Sequence, residues 1–350
     1  MVLGSKALIA MSGGVDSSTA AYLALTAGYD CIGGTMILCQ SQEDIDDAEA
    51  VAKHLGIPFH AFDARHHFRH QVQEPFVQSY EAGETPNPCI LCNRYLKFGY
   101  LLDRAQELGC THIVTGHYAR VRQNETTGRW LLLKAQDTAK DQSYFLATLS
   151  QDQLSHIFFP LGELTKEQTR SLASEQRFNN ASKRDSQDIC FIPNGDYPSF
   201  LEEFTGKQYP IGNFVDQKGC VVGQHKGAVC YTLGQRKGLG LAIGQPVYVC
   251  GKDMKQNTVT VGPNESLFHK SLVASNWSWF PFEALTQPIR CMAKARSRMT
   301  EQPATAYPSE DGTISVVFDE PQRALTPGQT IVLYDGETVI GGGCIRHVTD

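Results

Sequence analysis

Eleven cysteines fall in 350 residues, and three of them stand where a thiol can do chemistry. Cys31, Cys220, Cys230, Cys250, Cys291 and Cys344 lie in apolar, strand-like runs and read as small core residues. Cys89, Cys92 and Cys190 sit in polar, irregular stretches instead. The first two belong to Thr85-Pro86-Asn87-Pro88-Cys89-Ile90-Leu91-Cys92-Asn93-Arg94, whose prolines, two apart, argue for a rigid loop. A helix from about residue 95 to 108 follows, so Cys92 is expected near a helix N-terminus. The dipole favours a thiolate there, which makes Cys92 a candidate nucleophile. Cys190 lies between the charged run Lys183-Arg184-Asp185-Ser186-Gln187-Asp188 and the apolar Phe191-Ile192.

A second constellation precedes the thiols. Lys6-Ala7-Leu8-Ile9-Ala10 reads as a short buried strand, and residues 17–25 as a helix that stops at Gly28. Between them stands Met11-Ser12-Gly13-Gly14-Val15-Asp16. A Gly–Gly turn from strand to helix exposes backbone N–H groups at the positive end of the helix dipole, a ready site for phosphate. No lysine follows the glycines to reach a γ-phosphate, so this is not the common P-loop. The order Ser12-Gly13-Gly14-Val15-Asp16-Ser17 resembles the signature of the PP-loop ATP pyrophosphatases. The resemblance implies a loop that holds the β- and γ-phosphates while a substrate oxygen attacks the α-phosphate. The plainer reading of the same residues is a glycine turn with a Ser/Asp helix cap.

Both constellations need a scaffold. Residues 30–38 and 58–62 read as further strands and residues 44–55 as an amphipathic helix, which predicts a parallel, doubly wound sheet with the loop at the strands' carboxyl ends. Met36 ends the second strand, where it either flanks an adenine or fills core. Residues 65–80 are helical in pattern, and the basic, His-rich start at residues 65–70 reads as a solvated face rather than a metal site, since no carboxylate or thiol stands at ligand spacing. Residues 111–115 read as a strand, 119–135 as a hairpin and 166–176 as a helix. The polar cluster Lys140-Asp141-Gln142-Ser143-Tyr144 suggests a ligand or partner surface.

Past about residue 204 short β-like runs take over, including 228–233, 246–250, 258–261, 314–318 and 330–334. The expected architecture is α/β: a doubly wound nucleotide-binding domain over residues 1–200, a small central β-rich domain over 201–265, and a C-terminal β-barrel domain over 266–350. Residues 231–240 form a Gly-punctuated basic loop and 294–298 a basic strand, each able to track a phosphate backbone or simply to be solvated. The net charge of −6 gives no global argument for nucleic acid, so any such partner must meet local patches. No apolar run is long enough to span a membrane, and the early first strand leaves no room for a signal peptide, so the expected location is cytoplasmic, with thiols kept reduced.

In this order the pieces resemble the tRNA-specific 2-thiouridylases nearly end to end. The strings that carry the resemblance are SGGVDSS at 12–18, TPNPCILCN at 85–93, TGHYAR at 115–120 and KDQSYFL at 140–146, followed by FPLGEL at 159–164, DSQDICFI at 185–192, YTLGQRKGLG at 231–240 and TPGQ at 326–329. The resemblance implies a PP-loop enzyme that uses ATP with Mg2+ to thiolate uridine 34 of Lys-, Glu- and Gln-type tRNA. It places Ala10, Met11, Ser12, Gly13, Gly14, Val15, Asp16, Ser17, Met36 and Gly116 at the nucleotide. Cys92 matches the family's nucleophile and Cys190 its persulfide carrier; Asn87, Pro88 and Cys89 fall where the base is held. His117, Lys140, Asp141, Gln142, Arg296, Ser297 and Gln329 match tRNA contacts.

The implied chemistry is consistent with these parts. The C2 oxygen of uridine leaves poorly until it carries AMP. Sulfur then arrives as a persulfide on Cys190, supplied by a donor such as a cysteine desulfurase or relay protein, and Cys92 resolves it to a Cys92–Cys190 disulfide. The wobble base of the anticodon stem-loop must leave its stack to react. Some family members carry Asp where this chain has Cys89, so an acid–base role is not expected at that position. The third thiol opens an alternative, an iron–sulfur cluster on Cys89, Cys92 and Cys190. A different class of reaction, a PP-loop ligase adenylating a small molecule, needs neither the thiols nor the basic β appendage.

Overall fold

A computed structural model of the chain describes residues 4–181, 183 and 188–349. Arg184, Asp185, Ser186 and Gln187, which open the string ahead of Cys190, lie outside the described residues.

Strand β1 (Lys6–Ala10) runs into α1 (Val15–Thr26), β2 (Asp30–Ile37), α2 (Gln42–Leu55) and β3 (Phe59–Asp63). Local chemistry sets the bounds of α2. Ser41 caps it, its Oγ accepting from Asp44 N at 3.3 Å, and Gly56 ends it at φ 69°. Ile45, Ala48, Val51 and Ala52 form its buried face. Helix α1 has no polar face: Val15, Ser17, Ser18, Thr19, Ala20, Ala21 and Ala24 are all buried. Its small side chains let it lie between the sheet and the helix Lys166–Glu175, where Thr19 Oγ1 donates to Thr169 O at 3.4 Å.

The chain continues through β4 (His112–Val114), the hairpin β5 (Ala119–Gln123) and β6 (Trp130–Lys134), and β7 (Ile157–Phe158). One parallel sheet has the order β3-β2-β1-β4-β7. Winding reverses between β1 and β4, so a crevice opens at the carboxyl end of β1, where ligands of such sheets bind. The expected doubly wound sheet is therefore present.

The middle unit is a four-stranded sheet of Tyr248–Asp253, Thr258–Gly262, Gly212–Val215 and Val221–His225 around Phe214, Val249 and Val259. The strand expected at 228–233 is a 3-10 turn, Ala228–Cys230. All three of its side chains are buried, which a strand with one face on the core cannot achieve, and Ala228 N is held by Asn257 Oδ1 at 3.0 Å.

The C-terminal unit belongs to an eight-stranded sheet, two of whose strands are β5 and β6. The other six close into an antiparallel barrel through pairing of Phe268–Trp279 with Thr338–Thr349. The hairpin thus serves the barrel, and one core contains Leu132, Ala147 and Leu149 together with Phe280, Val332 and Val339. Residues 294–298 are not a strand: Ile289–Lys294 ends there, and Met299 N closes a turn on Arg296 O at 3.1 Å.

Candidate active site

The loop after β1 is shaped by two glycines. Gly13 has φ +72°, and a Cβ there would lie 2.3 Å from Asp44 O, so no other residue fits. Gly14 caps α1 in extended conformation with no side-chain cap, which leaves the first-turn N–H groups for a ligand. Ser17 and Ser18 turn their hydroxyls back onto Gly14 O at 2.9 and 3.1 Å, and Ser12 N donates to Ser17 Oγ at 3.2 Å. Asn180 latches the loop from outside, donating to Gly13 O at 3.0 Å and Ser18 Oγ at 2.9 Å. Gly116, just past β4, packs on the loop: a Cβ there would come 2.7 Å from Asp16 C and 2.8 Å from Ser17 N. Ala10 and Val15 bound the loop within the core, Met11 is buried against Gly33, and Met36 is half-buried beside the same crevice.

The cation missing after the glycines comes from elsewhere. Lys166, first residue of its helix, places Nζ 2.7 and 2.9 Å from the two carboxylate oxygens of Asp16. Tyr118 Oη lies 3.0 Å from both Asp16 Oδ1 and Thr169 Oγ1, so its one proton is directed at one of the two at a time. Sequence reasoning missed Lys166 because the pair forms through space; the only local hint was a lysine at the start of a well-capped helix, where the positive dipole end disfavours it.

The thiols stand on a second helix, which begins earlier than expected. Asn87 caps it, its Oδ1 accepting from Cys89 N at 3.2 Å, and Pro88 occupies the first helical position, where its missing N–H costs nothing. Pro88–Leu91 is α-helical and Cys92–Tyr100 is π-wound. Cys92 therefore lies beyond the first turn, half-buried among Leu38, Leu91 and Phe191 beside Phe68, Val72 and Leu96. Burial pushes its thiol up to about 11, against the pull of Lys97 and with the help of Cys190 and Cys89. The expectation of a dipole-stabilised thiolate fails here because desolvation outweighs the helix end. In π winding, i→i+5 bonding stacks residues five apart, which brings Lys97 along the same side as Cys92. Cys89 is also raised by burial, again with Lys97 opposing and Cys190 adding.

Cys190 thus joins Cys89 and Cys92 despite its distance in sequence. A fourth thiol, Cys39, follows β2 at the carboxyl edge of the sheet and stands near enough to Cys190 for each to perturb the other's ionisation. The neighbouring Cys190 lowers Cys39, and Cys39 together with burial raises Cys190, while Cys92 opposes ionisation of Cys39. Nothing in its sequence neighbourhood marked Cys39, because only the fold brings it to the others. Among the described residues no group of three or more His, Cys, Asp or Glu side chains is placed to hold a metal ion. The His-rich helix start is exposed, with His70 Nδ1 2.8 Å from Glu74 Oε2.

Residues assigned to tRNA contact divide into two groups. Lys140, Ser297 and Arg296 are half-buried near the surface, although Arg296 Nη2 also donates to Ala324 O and Arg323 O. The others are engaged inside the protein. His117 is 8% exposed, its Nδ1 2.7 Å from Thr115 Oγ1 and its ring packed near Phe98 and Phe159. Burial, with Lys97 nearby, holds it well below the usual imidazole range, so it offers no positive charge to a phosphate. Asp141 accepts from Ala135 N at 3.0 Å and Ser143 Oγ at 2.7 Å, and Gln142 Oε1 accepts from Tyr118 N at 2.9 Å. Gln329 Nε2 donates to Thr85 O at 2.7 Å, and Thr85 N to Pro327 O at 2.9 Å. The barrel thereby pins the loop leading to Cys89 and Cys92.

These surroundings predict ordered alkylation. A thiol near 11 is only about one part in ten thousand thiolate at pH 7. Iodoacetamide with peptide mass spectrometry should label Cys39 first at pH 7, with Cys92 labelling climbing as pH approaches 11. Equal labelling of the two at pH 7 would contradict the assigned environments.

Comparison with known proteins adds the following. Residues 5–194 match the family described as tRNA methyl transferase HUP domain, 198–263 its PRC-barrel domain, and 269–345 an aminomethyltransferase beta-barrel domain. The chain is 43% identical over 358 residues to a tRNA-specific 2-thiouridylase MnmA of Clostridioides difficile (strain 630), covering 99% of both chains. It is 44% identical over 355 residues to the protein of that name in Acetivibrio thermocellus, covering 97% of this chain and 99% of the relative. A 4-thiouridine synthetase in complex with RNA and ATP aligns at a TM-score of 0.37 and 16% identity over 58% of this chain and 50% of that one.

Proposed function

The chain belongs to the tRNA-specific 2-thiouridylase family, and from that premise we propose that it makes 2-thiouridine at the wobble position, uridine 34, of Lys-, Glu- and Gln-type tRNA. It is a tRNA sulfurtransferase of the PP-loop, ATP-using kind. The observation that carries the finer reading is the convergence, at the carboxyl edge of one parallel sheet, of a phosphate-shaped loop and a cluster of thiols.

In this reading the N–H groups at the start of α1 hold the triphosphate, and Gly116 keeps the loop in register beneath it. Lys166, released from Asp16 as phosphate arrives, offsets charge on the leaving pyrophosphate. Mg2+ bound with the nucleotide would take the Asp16 carboxylate as an oxygen ligand and spread that same charge. The uridine C2 oxygen attacks the α-phosphate, and AMP becomes the leaving group. Cys190, exposed to a persulfide donor such as a cysteine desulfurase or relay protein, carries the sulfur that displaces it. Cys92 then attacks Cys190 Sγ, frees the thiocarbonyl and forms the Cys92–Cys190 disulfide, with Lys97 favouring its thiolate. Asn87 and Pro88 shape the loop that would hold the flipped base. The domain limits proposed are 1–200, 201–265 and 266–350.

The test is pyrophosphate release with ATP and an unmodified tRNA transcript, followed by nucleoside mass spectrometry. Release that requires tRNA, together with 2-thiouridine at position 34, is expected. Equal release with a small carboxylic acid, and no thiolated nucleoside, would favour a small-molecule ligase instead.

A further inference from the structure

The reaction proposed above leaves one pair of charges unused. Arg296 and Arg323 meet at the edge of the C-terminal barrel, where Arg296 Nη2 donates to Arg323 O at 3.2 Å and also to Ala324 O. Arg323 reaches across to the middle unit: its Nη2 donates to Gly234 O at 3.4 Å, and its guanidinium stands 5.1 Å from the centre of the Tyr248 ring. Its Nε donates to Asn264 Oδ1 at 3.0 Å, while Nη1 has no partner among the described residues. A Cβ on Gly234 would come 3.1 Å from Ala324 Cβ and 3.4 Å from Arg323 Nη1, so the basic loop 231–240 is pressed against this turn. That loop also exposes Arg236 and Lys237. Yet among the described residues neither Arg296 nor Arg323 forms an ion pair with a carboxylate.

We propose that Arg323 is a contact for a backbone phosphate of the tRNA, shared with Arg296, so that the middle unit and the barrel grip the RNA together at this junction. The inference rests on the thiolation reading above. Two guanidiniums side by side repel each other, and burial together with Arg323 holds Arg296 below the usual guanidinium range. Ala324 between their contacts has φ 51°, a left-handed conformation that only firm surroundings impose on an alanine and that is commonest at ligand sites. A phosphate set between the two side chains cancels the repulsion, and the forked N–H donors of arginine match its oxygens. Arg323 is exposed, so its open donors are within reach of such a partner. The same stretch runs on to Gly328, where a Cβ would come 2.9 Å from Glu84 Cβ and 3.0 Å from Thr85 N. It therefore leads to the loop at Asn87 and Pro88, and an RNA whose base enters that loop carries its backbone along this edge. The contact reads charge and not sequence, so it serves every substrate tRNA alike.

The experiment measures binding of an unmodified Lys-type tRNA transcript to full-length wild type, Arg323→Gln and Arg323→Lys over a series of salt concentrations. Arg323→Gln should bind about tenfold more weakly at low salt, and the slope of log affinity against log salt should shrink by about one. Arg323→Lys keeps the charge and should keep the wild-type slope. In steady-state thiolation, Arg323→Gln should raise KM for tRNA by about the same factor and leave kcat nearly as it was. Arg296→Gln combined with Arg323→Gln should shrink the slope little further than either alone, because one phosphate is shared. An unchanged slope in Arg323→Gln, or an equal loss in Arg323→Lys, would make Arg323 a brace between the two units and overturn the contact. A slope that shrinks by about two in the double variant would overturn the sharing. A wild type that binds the transcript with this charge dependence yet makes no 2-thiouridine would defeat the thiolation reading and leave the phosphate contact standing.

Discussion

Replacing Cys190 by serine is expected to abolish 2-thiouridine formation, by about a thousandfold or more, while tRNA-dependent pyrophosphate release survives in large part. A serine oxygen cannot carry a sulfane sulfur, so the step after adenylation has no reagent. In the proposed reaction adenylation depends on the loop at Gly13, Gly14 and Asp16 and on Lys166, and needs no sulfur. Cys92→Ser should lose product to the same extent for a different reason: sulfur reaches Cys190 but is not released from it. The two variants separate when their sulfur load is measured. Cys92→Ser retains sulfane sulfur on Cys190 after incubation with polysulfide, and Cys190→Ser retains none at that position. Thiolated nucleoside from either variant at the wild-type level would contradict the assigned roles, and simultaneous loss of pyrophosphate release in Cys190→Ser would place that residue in activation instead. Both substitutions nearly preserve side-chain volume, so neither opens a large cavity.

How legible the site was in the sequence depended on whether its geometry is local. β1, α1, α2 and the parallel order were readable because hydrophobic period, a Ser cap and a Gly stop are written into short stretches. The loop itself was readable for the same reason, since a Gly–Gly turn acts through its own backbone. Pro88 misled, because a proline reads as a helix breaker unless its place at the first helical position is known. The run at 228–233 misled because three buried neighbours look like half a strand until Gly227 and Asn257 fold them into a turn. Contacts across the fold left no trace in spacing: Lys166 on Asp16, and Gln329 on Thr85. Electrostatics went the same way. A thiol near a helix start argued for a low pKa at Cys92, and only the apolar cluster around it shows why the opposite holds. Likewise His117 and Asp141 could be matched to partner-contact positions by sequence, yet their side chains are occupied within the protein.

Removing the charge pair at the loop should have the second large effect, and on the first half-reaction alone. Asp16 and Lys166 are 31% and 11% exposed, bonded through both carboxylate oxygens, and Tyr118 fixes one of those oxygens from a third direction. Without nucleotide the pair neutralises itself. When triphosphate enters, the loop gains negative charge, and a lysine held within reach of it becomes worth more than any side chain that must travel. Lys166→Met keeps the length of the aliphatic stem and deletes only the ammonium, so tRNA-dependent pyrophosphate release should fall about a hundredfold. Asp16→Ala should fall at least as far, since it removes the loop's own carboxylate, which both Lys166 and Tyr118 hold. Sulfur loading of Cys190 by polysulfide should be unchanged in both, because thiol–polysulfide exchange needs neither nucleotide nor the charges of the loop. A double substitution then reports the coupling: if the pair acts as a unit, the two losses combine to far less than their product. Wild-type pyrophosphate release in Lys166→Met would remove this lysine from the chemistry and leave it a brace for Asp16, in which case thermal stability, and not rate, would carry the whole loss.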